Sequence, residues 1–237
     1  MRLRSTWQQA AHKELQKALP GYCAFCLMPA GQGLGWCQTC FTELPWNVSS
    51  CEQCAEPLDH PTQRRCGHCL LDPPLVTHAH AALLFQASIK ELLHDFKFKA
   101  SPRAGMLLVE LMLASIPDDP GTALVAVPMH RKRARERGFN QARWLAEQLA
   151  KRTGLVVLEA QCNKLVASQR SLNRHERAAN LHGAFSIKAP LPAHITLIDD
   201  VITTGATINA LANVAQQAGA TRIDSWAVAR TPLGTRG

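Results

Sequence analysis

The sequence predicts an α/β protein: a parallel sheet flanked by helices, preceded by a small cysteine-rich domain. Three observations carry this prediction. Between residues 75 and 229, short apolar runs that read as strands alternate with segments of helical periodicity. The stretch Ile195–Thr207, ITLIDDVITTGAT, sets a buried-strand run against two carboxylates, a turn of small residues and a helical pattern. Eight of the nine cysteines lie between residues 23 and 69 as four CxxC pairs.

Taken in order, residues 5 to 19 read as a short amphipathic helix with Trp7, Ala10, Ala11, Leu15 and Ala18 on one stripe, closed by Pro20-Gly21. The predicted domains are this helix within 1–22, the cysteine segment 23–72, and an α/β domain over 75–237, with Pro73-Pro74 as the linker. Residues 75 to 85 read as the entering strand and Ala87 to Phe96 as a helix. Ser101-Pro102 supplies an N-cap and first-turn pair for a helix running to Ile116 that is apolar nearly all round and therefore buried. Ala123–Val127 is the next strand, and a basic loop follows it. A helix from about Phe139 to Arg152, a strand over 155–158 and a last strand over 223–229 complete the pattern. Residues 160 to 184 show little apolar periodicity and many cations. So long a segment without structure in a compact domain reads as a functional flap.

The CxxC pairs are Cys23/Cys26, Cys37/Cys40, Cys51/Cys54 and Cys66/Cys69. Each such turn aims two thiolates at one point, and two turns complete a tetrahedral zinc shell. Eight thiolates make two structural shells with no position left for water. Pairing 23/26 with 37/40 and 51/54 with 66/69 keeps each loop short, although an interleaved arrangement has similar spacings. A disulfide framework needs an oxidising compartment, and nothing in the chain points to one.

The charge balance is basic, +8 with a pI near 9.2, which favours polyanionic partners. No run reaches the ~20 apolar residues of a membrane helix. His12, Lys13, Glu14 and Lys17 break any leader-like core, so a cytoplasmic placement is expected, at the inner membrane face only through partners.

A strand, a small-residue turn and a helix together present free backbone N–H groups and the positive end of a helix dipole to an anion. Carboxylates cannot hold a phosphate, but they accept hydrogen bonds from sugar hydroxyls or sit beside Mg²⁺. A sugar phosphate therefore suits this stretch better than free phosphate. It is neither a Walker A loop nor a GxGxxG turn.

The whole of Ile195–Thr207 resembles the phosphoribosyl diphosphate (PRPP) signature of type I phosphoribosyltransferases. The resemblance implies that Asp199 and Asp200 touch the ribose hydroxyls, and that Thr203, Thr204, Gly205, Ala206 and Thr207 wrap the 5′-phosphate. It implies a diphosphate loop at Met129, His130, Arg131, Lys132 and Arg133, and a flap over about Gln161 to Leu181 with Arg170, Arg174 and Arg177 as catalytic candidates. Mg²⁺ would accompany PRPP. The wider order resembles the ComF family from about Pro20 to Arg230: cysteine ribbons, RERGFNQ at Arg135–Gln141, then Gln169, Leu172, Arg174, Asn180 and Phe185, then IDDVITTGAT. That resemblance implies a PRPP-binding protein with a phosphoribosyltransferase-like domain, assisting DNA uptake in natural transformation or the use of external DNA as nutrient. Single-stranded DNA and other DNA-uptake proteins are its implied partners. The alternative is an active phosphoribosyltransferase moving ribose 5-phosphate from PRPP to a nitrogenous base in nucleotide salvage. A third reading makes the ribbon a tether that joins a degenerate transferase domain to a partner.

Overall fold

Parallel strands need crossovers long enough to hold a helix, and this chain supplies them at each step of its second part. The computed structural model describes residues 21–30, 35–164, 181 and 183–233. The expected helix at 5–19 and most of the expected flap lie outside those residues. The chain forms two compact units, Met1–Pro45 and Trp46–Gly237. The boundary falls inside the 23–72 segment, so the second cysteine cluster belongs to the same unit as the sheet.

In the smaller unit, α1 (Gln38–Glu43) starts where the Cys37 sulfur accepts the Cys40 N–H at 3.5 Å. Trp36 is buried and stacks on Phe41 with ring centroids 5.4 Å apart. The second ribbon repeats this plan: α2 (Gly67–Leu71) starts with the Cys66 sulfur accepting the Cys69 N–H, also at 3.5 Å.

The larger unit then runs β1 (Ala79–Leu84), α3 (Ala87–Phe98), α4 (Pro102–Leu113), β2 (Ala123–Ala126), α5 (Arg131–Arg137), α6 (Gln141–Thr153), β3 (Val156–Leu158), β4 (Gln161–Cys162), β5 (Phe185–Ser186), β6 (His194–Ile202), α7 (Ala206–Gln217) and β7 (Arg222–Arg230). Five strands form one parallel sheet in the order β1-β7-β6-β2-β3. The sheet is buried on both faces, which explains its near-continuous apolar strands. Ile195, Leu197, Ile223 and Ala227 pack with Ile208, Leu211, Ala212 and Ala215 of α7. Alternate residues of the same strands face the other way, where α4 lies on β7 and α6 on β6 and β2. This is the α/β architecture that the sequence predicts. On the α4 side, a methyl group at Gly105 would meet the Trp144 ring at 2.7 Å and the Phe96 ring at 2.8 Å, so only glycine permits this close approach.

Two elements differ from expectation. The basic stretch after β2 is not a loop throughout: Arg131–Arg137 forms α5, capped by His130 Nδ1, which accepts the Lys132 N–H at 3.2 Å, and stopped by Gly138 at φ 85°. Strand β6 continues past the apolar run, so Asp199 and Asp200 lie within it and not in the turn after it. Its ladder with β7 runs on through Val201↔Ala229 and Ile202↔Arg230. That pairing satisfies the backbone of residues whose side chains alone would favour a loop.

The second ribbon is fastened to the sheet by hydrogen bonds and charge. The Ala79 N–H donates to the Glu52 carbonyl at 2.7 Å, and the Asn47 N–H to the Ala82 carbonyl at 3.1 Å. Arg230, 1% exposed, pairs with Glu56 Oε2 at 2.7 Å and donates to the Ile202 carbonyl at 3.1 Å. The other Glu56 oxygen accepts the Leu233 N–H at 2.7 Å. Replacing Arg230 with alanine leaves Glu56 as an unpaired, nearly buried charge. Arg230→Ala is therefore expected to cost about 3–5 kcal/mol in a denaturant titration, and a cost under about 1 kcal/mol would show that this corner is held by other contacts.

Candidate functional site

The cysteines form two sets, Cys23, Cys26, Cys37, Cys40 and Cys51, Cys54, Cys66, Cys69, with the sulfurs of each set within 4.8 Å of one another. The sequential pairing is the one realised. Zinc–sulfur bonds of ~2.3 Å in a tetrahedron place sulfurs ~3.8 Å apart, and Cys26–Cys37 at 3.7 Å and Cys54–Cys66 at 3.6 Å fit that spacing. None of the nine cysteines is in a disulfide. Within each set the thiols are driven in opposite directions. Burial opposes ionisation of Cys23, but amide hydrogen bonds outweigh it and bring the thiol down to about 6. Burial first, then the charges of Cys51 and Cys66, pushes Cys54 up to about 12. Four crowded sulfurs cannot all ionise without a cation among them, so the donor chemistry and the geometry both fit structural zinc.

The second candidate site lies at the carboxyl ends of the central strands. β6 stands between β7 and β2, so the segments leaving β2 and β6 are neighbours. The Val127 N–H donates to the Ile198 carbonyl at 2.9 Å, directly before the acidic doublet. Asn140 caps α6 by accepting the Arg143 N–H and donates its amide to the Val127 carbonyl at 3.0 Å, so it holds the basic segment at its root. On the other side of the doublet, Gly205 begins α7 at φ 76°, a left-handed conformation that glycine adopts without strain. Gly205 offers no side chain to cap this helix end, and the Ala206 N–H donates to the Thr204 hydroxyl at 3.4 Å, so the threonine turn lies against the first amides of α7.

The doublet itself is half-buried. Asp199 accepts the Asp200 N–H at 2.8 Å. Burial and the adjacent Asp200 charge push the Asp199 carboxyl up to about 8, against the pull of that amide bond and of Lys97. Asp200 pairs with Lys97 Nζ at 3.0 Å, the two side chains 15% and 18% exposed. Lys97 was missed in the sequence, where it reads as the polar tail of a helix. Nothing local could have linked it to a carboxylate so distant along the chain.

Asp199 provides a test by pH. Its unfolded value is ~3.9, so between about pH 4 and 8 the folded chain holds a proton that the unfolded chain has lost. The stability contributed by that proton is complete below about pH 4 and is lost as pH rises through about 8. The melting temperature of the native protein should therefore fall relative to that of Asp199→Asn across this window. A constant difference between the two would mean that Asp199 titrates normally.

Two cavities open beside these groups. One, of about 470 Å³, is lined by Met129, His130 and Arg131 together with Glu159 and Cys162. The other, of about 970 Å³, is lined by Thr204, Gly205 and Ala206, one flank of α7, Val76, Phe185 and Ser225. Neither is lined by Asp199, Asp200 or Lys97. Lys132 and Arg133 lie on α5 and do not line the first cavity. The segment expected to form the flap is flanked by the short antiparallel pair Gln161↔Ser186 and Cys162↔Phe185. Arg170, Arg174 and Arg177 fall outside the described residues. No helix among the described residues is long and apolar enough to cross a membrane.

Comparison with known proteins bears on the ribbons and on the family. Residues 15–70 match the double zinc ribbon domain. DNA utilization protein YhgH of Salmonella typhi is 32% identical over 228 residues, covering 90% of this chain and 98% of that protein. The protein of the same name from Escherichia coli is 30% identical over 233 residues, with the same coverage. Competence protein F of Haemophilus influenzae is 29% identical over 213 residues, covering 83% of this chain and 90% of that protein. Among solved structures, adenine phosphoribosyltransferase from Thermoanaerobacter pseudethanolicus aligns at a TM-score of 0.36 with 18% identity, over 61% of this chain and 87% of that one. That score is too low to establish a shared fold, and the architecture rests on the strand order and register given above. The ribbon match, the near-complete coverage of the relatives and the motifs at Arg135–Gln141 and Ile198–Thr207 lead to one assignment: this chain belongs to the ComF family, the family of DNA utilization protein YhgH and competence protein F.

Proposed function

We propose that the larger unit binds PRPP with Mg²⁺ and that the protein handles single-stranded DNA during uptake or use of external DNA. The observation that carries the reading is the acidic doublet at the end of β6, between a helix start at Gly205 and the root of a cationic segment. In this reading Asp199 and Asp200 hold the ribose hydroxyls, and residues 203–207 with the α7 dipole hold the 5′-phosphate. Met129–Arg133 receive the diphosphate, whose charge Mg²⁺ would neutralise when bound. An Asp199 carboxyl that keeps its proton near neutral pH donates a hydrogen bond where Asp200 accepts one. The pair thus suits two adjacent hydroxyls. The relatives' names, DNA utilization and competence protein, support the DNA side of the reading, as does the basic charge.

Calorimetry with PRPP and Mg²⁺ tests the sugar-phosphate site, and the absence of heat with intact, zinc-loaded protein would remove it. One observation favours a second reading, transfer of ribose 5-phosphate to a nitrogenous base. The 970 Å³ cavity adjoins the phosphate turn and is lined by apolar side chains and amides, including Val76, Phe185, Ile208 and Asn209. Release of diphosphate from PRPP on addition of a particular base would establish that reading. No release across a panel of bases would leave the binding function alone.

A further inference from the structure

We propose that the exposed ring of Phe98, with His94 and Arg137 set against it, is a stacking platform for a base of single-stranded DNA, whose backbone then follows the cations of α5. The proposal rests on the DNA reading above and adds the surface that would carry it.

Phe98 ends α3 with 61% of its surface in solvent. The His94 ring lies one turn earlier, 5.0 Å away by centroids and tilted by 41°. The Arg137 guanidinium carbon is 5.5 Å from the Phe98 centroid. The support beneath is rigid: two residues earlier, Phe96 is buried and packs against Phe139 and Trp144, each at 5.2 Å. A large ring held at its sides and left open to water contributes little to folding, but it gives a nucleobase a flat apolar partner flanked by a cation.

The charge around it selects the partner. Arg131, Lys132 and Arg135 are exposed on α5, and Arg137 belongs to the same helix, with Glu136 its one acid. Lys99 stands next to Phe98, paired with Asp95 at 2.8 Å. This cationic balance repels a basic partner and suits a polyphosphate chain, whose charges recur along the backbone. A duplex keeps its bases stacked on one another, so a lone exposed ring favours a single strand.

The test uses the full-length, zinc-loaded protein, a fluorescent oligothymidylate of about 16 nucleotides and an abasic strand of equal length, titrated across a salt series. The native protein should bind the thymidylate about tenfold more tightly than the abasic strand. Phe98→Ala should remove that difference, Phe98→Tyr should restore it, and both variants should retain native binding of PRPP with Mg²⁺. Arg135→Gln should weaken both strands and reduce the salt slope by about 0.7. If the native protein binds neither strand, the DNA reading itself fails, and this proposal with it. If the native protein binds both strands equally, or Phe98→Ala binds as the native protein does, the platform is overturned while the DNA reading stands.

Discussion

Removal of zinc from the second ribbon is expected to unfold much more than the ribbon. Structural zinc contributes on the order of 10–16 kcal/mol in zinc-finger peptides, against a whole-domain stability of about 5–15 kcal/mol. The Cys51–Cys69 cluster lies in the same compact unit as the sheet. Its loop donates and accepts through Glu52, Ala79, Glu56, Arg230 and Leu233. If only about 5 kcal/mol of the metal's contribution is lost to the larger unit, its melting temperature should fall by about 10–20 °C. Cys54→Ser should produce that fall together with the loss of one equivalent of zinc by elemental analysis, and a strong chelator should produce it with the loss of both. A variant that loses its zinc and melts at the native temperature would show that the ribbon is only appended.

Asp200→Asn should reduce the affinity for PRPP with Mg²⁺ by about 30- to 150-fold, the value of about 2–3 kcal/mol for hydrogen bonds to a charged acceptor. The substitution preserves shape and removes the charge that Lys97 now balances at 3.0 Å. Lys97→Met is the informative companion. It leaves Asp200 without its partner and strengthens the mutual repulsion of the doublet, so it should raise the Asp199 carboxyl still further. Calorimetry of the two variants separates the sugar contact from the local charge balance. If Asp200→Asn binds with native affinity, the ribose site lies elsewhere.

Much of this molecule can be read from residue order, and the exceptions have physical reasons. The cysteine spacing predicts two four-sulfur shells because thiolate geometry is local. The strands β1, β2 and β6, and the capped helix at Ser101-Pro102, are visible because apolar periodicity and cap chemistry are local too: Ser101 accepts the Ala104 N–H at 3.2 Å, as expected. Helix α5 is not visible in this way. It has no apolar stripe, and its ends are set by a histidine cap and a left-handed glycine. The carboxyl half of β6 was hidden because two acids argue against a strand. Only the partner ladder of β7, far along the chain, makes that conformation favourable. The Lys97–Asp200 pair and the ribbon's attachment through Arg230 are products of the tertiary arrangement, which no local pattern encodes.

The Arg230–Glu56 corner decides where the chain can be cut. A fragment beginning after the double proline at 73–74 would lack Glu56, the only counter-ion that Arg230 has among the described residues, and would lack Ala55, which packs in one cluster with Val76 and Ala79. Such a fragment should be poorly soluble and prone to association through its bared edge. A fragment beginning at Trp46 retains both, so the smallest portion of this chain suited to independent production includes one complete four-cysteine knuckle.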